Sequence, residues 1–155
     1  MNTGLGTLGL PSKDLLLAAL RGMPHSRHPM LEAASELAIL HRHRLRTPPA
    51  TTGEVDRQRS QLVLSIDRYV LFVTPVPHDD APLHAESIGT LVDHLAWHCV
   101  DAHITHADDT GAHDEAVLLL NTLADDYDTL ADKVTRGIRR LPITVRPDSH
   151  TRYGS

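Results

Sequence analysis

Apolar residues recur along most of this chain at the spacing of an α-helix. Wound at about 3.6 residues per turn, Val55, Leu62, Ile66, Tyr69 and Val73 fall on one face, with Val63 and Val70 beside them. The same winding gathers Ile88, Leu91, Val92, Leu95, Cys99 and Ala102. Further on it gathers Ala116, Leu120, Leu123, Tyr127, Leu130, Val134 and Ile138. A weaker stripe joins Leu31, Ala34, Ala38 and Leu45. Strand-like alternation does not persist, except briefly at Ile143–Val145.

Proline, glycine and capping residues set the expected boundaries. Pro11–Ser12 opens a short helix to about Leu20, and Gly22, Pro24 and Pro29 mark a loop. A long helix from about Met30 to Arg46 stops at Pro48–Pro49. Thr51 and Glu54 have capping-box spacing and start a third helix, about Thr52 to Val73. Pro75 and Pro77 end it. A fourth helix begins at Asp79–Pro82 and reaches about His106, and after a turn at Asp108–Gly111 a last one runs from about His113 to Arg140. The expected fold is all-α: an antiparallel four-helix bundle over residues 30–141, an N-terminal loop and short helix over 1–29, and an extended or irregular tail over 142–155.

Composition narrows the function classes. A chain of 155 residues forms one domain and buries roughly 70% of its unfolded surface without staples. The single cysteine, Cys99, excludes an internal disulfide and a cysteine zinc cage. The first residues lack a basic stretch followed by a long apolar core, and no apolar run approaches the roughly 20 residues of a membrane span, so a cytoplasmic location is expected. A net charge of −5 argues against binding to a nucleic-acid backbone, and 3% aromatic residues provide no base-stacking platform. Gly-rich phosphate loops, GxSxG and HExxH are absent. Histidine is abundant, with 12 residues.

The informative residues are polar ones that the helical winding places among apolar ones. His41 shares the Leu31/Ala34/Ala38 face, and Arg59 lies between Val55 and Leu62. Glu86 and Asp93 stand seven residues apart, near the Ile88/Val92 seam. Tyr127 sits within the last stripe, where its hydroxyl needs a partner. A buried guanidinium is costly without a carboxylate or bound anion. One reading is therefore an interior pocket for a small anionic metabolite. Arg59 is its anion clamp, His41 its acid or base, Asp93 and Glu86 orienting carboxylates, and Tyr127 a further binding group. Whether such a site is catalytic is left open. A second reading is a non-catalytic, dimerising interaction module in which Arg59 bridges to Asp93 or Glu86 only to fix helix register. A third is a divalent metal site at His94, His98 and Asp101, at i, i+4 and i+7, completed by His41 or His43. A homodimer is expected from the apolar surface a small bundle leaves over. Cys99 reads as a small core residue, Trp97 as a core edge, and Asp125, Asp126, Asp128 and Asp132 as a solvated face.

These residues also carry a resemblance. Leu40–His41 late in a long helix, Arg59-Ser60-Gln61-Leu62-Val63-Leu64-Ser65-Ile66-Asp67 in the next, and Ala85-Glu86-Ser87 followed by Val92-Asp93-His94-Leu95 resemble motifs of the actinobacterial branch of an uncharacterised, all-helical bacterial domain-of-unknown-function family. The likeness spans residues 30–141. The chain departs from the pattern at His43 and Arg44, where members tend to carry an acidic pair. The resemblance implies an all-helical fold and groups His41, Arg59, Glu86 and Asp93 as a set. It implies no reaction.

Overall fold

A computed structural model describes residues 9–104 and 110–142. The described chain is all-helical, with five α-helices: α1 (Lys13–Leu20), α2 (Pro29–Leu45), α3 (Gly53–Val73), α4 (Ile88–Ile104) and α5 (Thr110–Thr135). One 3-10 turn, Pro49–Thr51, lies between α2 and α3. No strand occurs among the described residues, only an isolated parallel bridge between Leu83 and Arg140. The expected end of the fourth helix at His106, the first half of the turn at 108–111 and the tail at 143–155 lie outside the described residues; Thr110 and Gly111 are helical, so α5 starts at Thr110 and not at His113.

Local chemistry explains most of the helix ends. Ser12 Oγ accepts the Leu15 N–H at the start of α1, and Gly22, at φ +83°, supplies the left-handed residue after its end. His28 caps α2 through Nδ1, which accepts the Met30 N–H at 3.1 Å, and Pro29 follows as the first helical residue. The Thr51/Glu54 capping box does not form. The Thr51 hydroxyl donates to Pro48 O instead, inside the 3-10 turn, and Thr52 becomes the N-cap with its hydroxyl turned back to Pro49 O and not to an α3 amide.

Two expected boundaries shift for tertiary reasons. The fourth helix starts at Ile88, not near Pro82, because residues 78–84 pair with the chain after α5. His78 N–H donates to Gly137 O at 2.9 Å, Arg140 N–H to Pro82 O at 2.8 Å, and His84 N–H to Arg140 O at 2.7 Å. The last helix stops at Thr135, not Arg140. Gly137 turns the chain at φ +76°, and the Gly137 and Ile138 amides bond back to Val134 O and Lys133 O. Ile138 therefore leaves the apolar stripe and is 37% exposed.

Helix α4 is central, packing on α2, α3 and α5. Its whole predicted stripe, Ile88 to Ala102, is buried. Leu16 and Leu20 of α1, Leu37 of α2, Ile66 of α3 and Tyr127 of α5 close around it. Each such side chain contributes about 1.5–3 kcal/mol by leaving water.

The start of α4 is fixed against α3. Gly89 N–H donates to the buried Asp67 carboxylate at 2.7 Å, and Ser87 Oγ accepts the Thr90 N–H at 3.1 Å. The approach is so close that a Cβ on Gly89 would stand 2.4 Å from Val63 O and 2.6 Å from Asp67 Oδ1. Only glycine fits there, and that contact sets where Asp93, one turn further on, meets α3.

Candidate functional site

Three helices bring His41, Arg59 and Asp93 together. His41 occupies the last turns of α2, on its apolar face, and is 6% exposed. Asp93 projects from α4 and is 8% exposed. His41 Nε2 donates to Asp93 Oδ1 at 2.8 Å. From α3, Arg59 donates through Nη2 to Asp93 Oδ2 at 2.7 Å and through Nε to Oδ1 at 3.3 Å. The Arg59 fork thus grips both oxygens of one carboxylate, the geometry that suits guanidinium best. The network continues outward. Arg59 Nη1 donates to Asp56 Oδ1 at 2.8 Å, and Asp56 in turn accepts from Arg44 Nε at 2.9 Å.

The electrostatics follow from this order. Burial alone pushes the Asp93 carboxyl upward, but the hydrogen bonds and charges of His41 and Arg59 outweigh it and hold the group at about 2. The hydrogen bond to Asp93 raises the Arg59 guanidinium above its ordinary value. The hydrogen bond from Arg44, assisted by Arg59, holds Asp56 below its own. Two arginines and two aspartates alternate along the network, so its fixed charges cancel.

One atom of the cluster is left over. His41 Nδ1 has no partner among the described residues, and the buried side-chain polar atom without a partner there is Arg139 Nε. His41 Nδ1 therefore reaches solvent. The ring forms one wall of a cleft of about 320 Å³ whose other walls are Arg44, Leu45, Arg59 and Trp97. The Trp97 ring lies 6.0 Å from the His41 ring, tilted by 50°. The lining carries cationic and imidazole groups and apolar surface, and no carboxylate.

Glu86 and Tyr127 stand apart from this group. Glu86 precedes α4, so its seven-residue spacing from Asp93 is not a helical spacing. Its carboxylate is partly exposed and lies 3.7 Å from His94 Nδ1. Tyr127 is fully buried, and its hydroxyl donates to Pro11 O at 2.8 Å. Burial pushes that phenol far up, so it serves as a neutral donor tying the N-terminal segment to α5. Of the four residues the resemblance groups, three meet and Glu86 does not.

The metal-spaced residues stay on the outer side of α4. His94 is exposed, and His98 and Asp101 are partly so. Burial lowers the His98 imidazole, with Asp101 opposing and His94 reinforcing. Among the described residues, no three His, Cys, Asp or Glu side chains come together in a way that could hold a metal ion. Burial pushes the Cys99 thiol up, against the opposing charges of Arg21 and Arg42, which agrees with its reading as a core residue. No described helix is long and apolar enough to cross a membrane.

Sequence reading missed three polar anchors. Asp67 and His28 are buried caps, and Asp128 accepts the Lys13 N–H of α1 at 2.9 Å. The signal for Asp67 is its place one step from Ile66 on the buried face. His28 directly before Pro29 has the order of an N-cap and N1 residue. Nothing local marks Asp128, whose partner lies 115 residues away.

Comparison with known proteins adds no family: no family model, curated protein or solved structure matches the chain.

Proposed function

We propose that the chain is a small-molecule binding protein whose site is the cleft beside His41, and that its ligand is a small anion with an apolar or planar part. One observation carries this reading: a buried imidazole held by a carboxylate at Nε2 lines a cleft together with two arginines and a tryptophan. With Nε2 donating to Asp93, Nδ1 is the nitrogen left for a ligand, and when protonated it donates to an anion. Arg44 and Arg59 retain N–H groups beyond those committed to Asp56 and Asp93, and Trp97 supplies a flat apolar wall.

The same geometry favours binding over acid–base chemistry. A carboxylate strengthens an imidazole base when its charge serves that imidazole alone. Here Asp93 also carries a bidentate guanidinium, so much of its charge is already balanced. Among the described residues, no second acid lines the cleft across from His41.

Supporting the bundle reading, Asp67 pairs with Gly89, whereas Arg59, earlier on α3, pairs with Asp93, later on α4. Contacts that run in opposite senses favour an antiparallel bundle of α2 to α5, with α1 laid against it.

The cleft has a built-in reporter, because Trp97 is the only tryptophan. Titrating the protein with a panel of small carboxylates and phosphates should give a saturable change in Trp97 fluorescence with at least one of them. His41→Asn should weaken that response about tenfold or more, in line with the loss of a buried hydrogen bond to a charged group. A panel with no saturable response sinks the proposal.

A specific observation favours a second reading, a purely structural clamp: Arg59 already satisfies two carboxylates. A triple apolar replacement, His41→Leu with Arg59→Met and Asp93→Leu, would then keep or raise stability. A replacement that preserves both stability and the protein's cellular role would establish the clamp.

A further inference from the structure

A second concavity lies at the other end of α3. Leu71 stands twelve residues beyond Arg59, about 18 Å along the helix, and forms one side of a groove of about 480 Å³. The loop after α3 and the chain after α5 supply the rest, with Val76, Leu83, Val134 and Leu141 as apolar walls. This volume falls within the usual ~300–1,000 Å³ range of ligand pockets.

Three features set the groove apart from ordinary surface. First, its walls keep large apolar side chains in water: Leu71 is 59% exposed, Leu83 62% and Val76 87%. Second, the groove is preformed. Pro75 and Pro77 restrict the loop, and the backbone bonds of His78, Pro82 and His84 to residues 137–140 staple it in place. A Cβ on Gly137 would press on the His78 ring at 3.3 Å, so the turn that holds this staple is specified as well. Third, the groove contains an unmatched cation. Arg139 lines it, its Nε is buried without an acceptor, and no carboxylate pairs with Arg139 among the described residues. Arg140 beside it donates only to the carbonyls of His78 and Asp79. A guanidinium lining a groove with no described carboxylate to balance it is complementary to an anion. The contrast with Arg59, which holds two carboxylates, is direct.

An apolar trough with Arg139, and Arg140 beside it, unmatched by any described carboxylate is complementary to one class of molecule. We propose that this groove binds an aliphatic carboxylate, the chain lying along Leu71, Val76 and Leu83 and the carboxylate on Arg139. The carboxylate meets the guanidinium, and the long apolar walls require an aliphatic chain behind it. The groove is separate from the His41 cleft, and its occupancy does not depend on what that cleft binds.

Decanoate is the probe, and decanol, with an equal number of carbons and no charge, is its control. Both are titrated into the full chain labelled with 15N. Decanoate should shift the amides of Leu71, Val76, Leu83 and Leu141 saturably and bind about tenfold or more tightly than decanol, as expected for a charge-assisted contact. Arg139→Met should bring decanoate to the decanol level without lowering the melting temperature, because it removes an unpaired buried group. The comparison of the two probes on the unsubstituted protein needs no variant to fold. Equal affinities, absence of saturable binding, or shifts confined to the surroundings of Trp97 would each overturn the proposal. So would a sedimenting dimer whose groove amides do not respond to decanoate, since a second copy would then fill the groove.

Discussion

Two buried histidines stand at opposite ends of α2 and do different work. His28 is 4% exposed and His41 is 6% exposed. At His28 both ring nitrogens are spent. Nδ1 accepts the Met30 N–H, which leaves the proton on Nε2, 3.0 Å from Gly9 O and 3.3 Å from the Tyr69 hydroxyl. The Tyr69 ring packs edge-on at 5.2 Å. All of its partners are neutral, and the ring is a structural cap. At His41 one nitrogen is held by a carboxylate, the other has no partner among the described residues, and the ring lines a cleft. Burial does not separate the two; the uncommitted nitrogen and the charge of the partner do.

Breaking the His41 end should cost the most. Asp93→Ala leaves Arg59 and His41 without their shared counter-charge, and should destabilise the fold by about 3 kcal/mol in urea unfolding, the low end for breaking a buried pair. A loss smaller than that of any His28 variant would invert the comparison.

Acid should then act on the same end. The Asp93 carboxyl falls from 3.8 to about 2 in the folded protein. Its contribution is therefore fully present above pH 3.8 and disappears as pH falls through about 2. The shift corresponds to about 2 kcal/mol. Urea midpoints measured at pH 5 and pH 2.5 should show this loss, and Asp93→Asn should flatten the difference between them. An unchanged slope in that variant would remove Asp93 as its source.

The smallest effect belongs to the cap. His28→Asn keeps an N-cap acceptor but gives up the contacts to Gly9 and Tyr69, and should cost about 1 kcal/mol, whereas His28→Ala, which loses the cap too, should cost about 2 kcal/mol. Equal losses in the two variants would mean that the cap contributes nothing and the packing everything.

Much of the candidate site was legible because two of its members interrupt helical stripes. His41 and Arg59 are polar residues at apolar spacing, and Asp93 lies beside the Val92 seam, so all three are visible in the sequence alone. The same reasoning puts Glu86 on the face of Asp93, and the structure does not. Its spacing from Asp93 has meaning only on one continuous helix, and residues 78–84 give their backbone bonds to the chain near Gly137 instead. Tyr127 on a buried stripe needs a partner, and that partner, Pro11 O, is a backbone group far away in the chain.

The sequence by itself determined the all-helical class, the apolar stripes and most helix ends, because periodicity, proline and capping act over a few residues. Only the tertiary structure decided which charges pair, where α4 begins, and that one arginine is doubly matched while another is left without an anion. Those outcomes depend on groups brought together from distant parts of the chain, and local spacing carries no record of them.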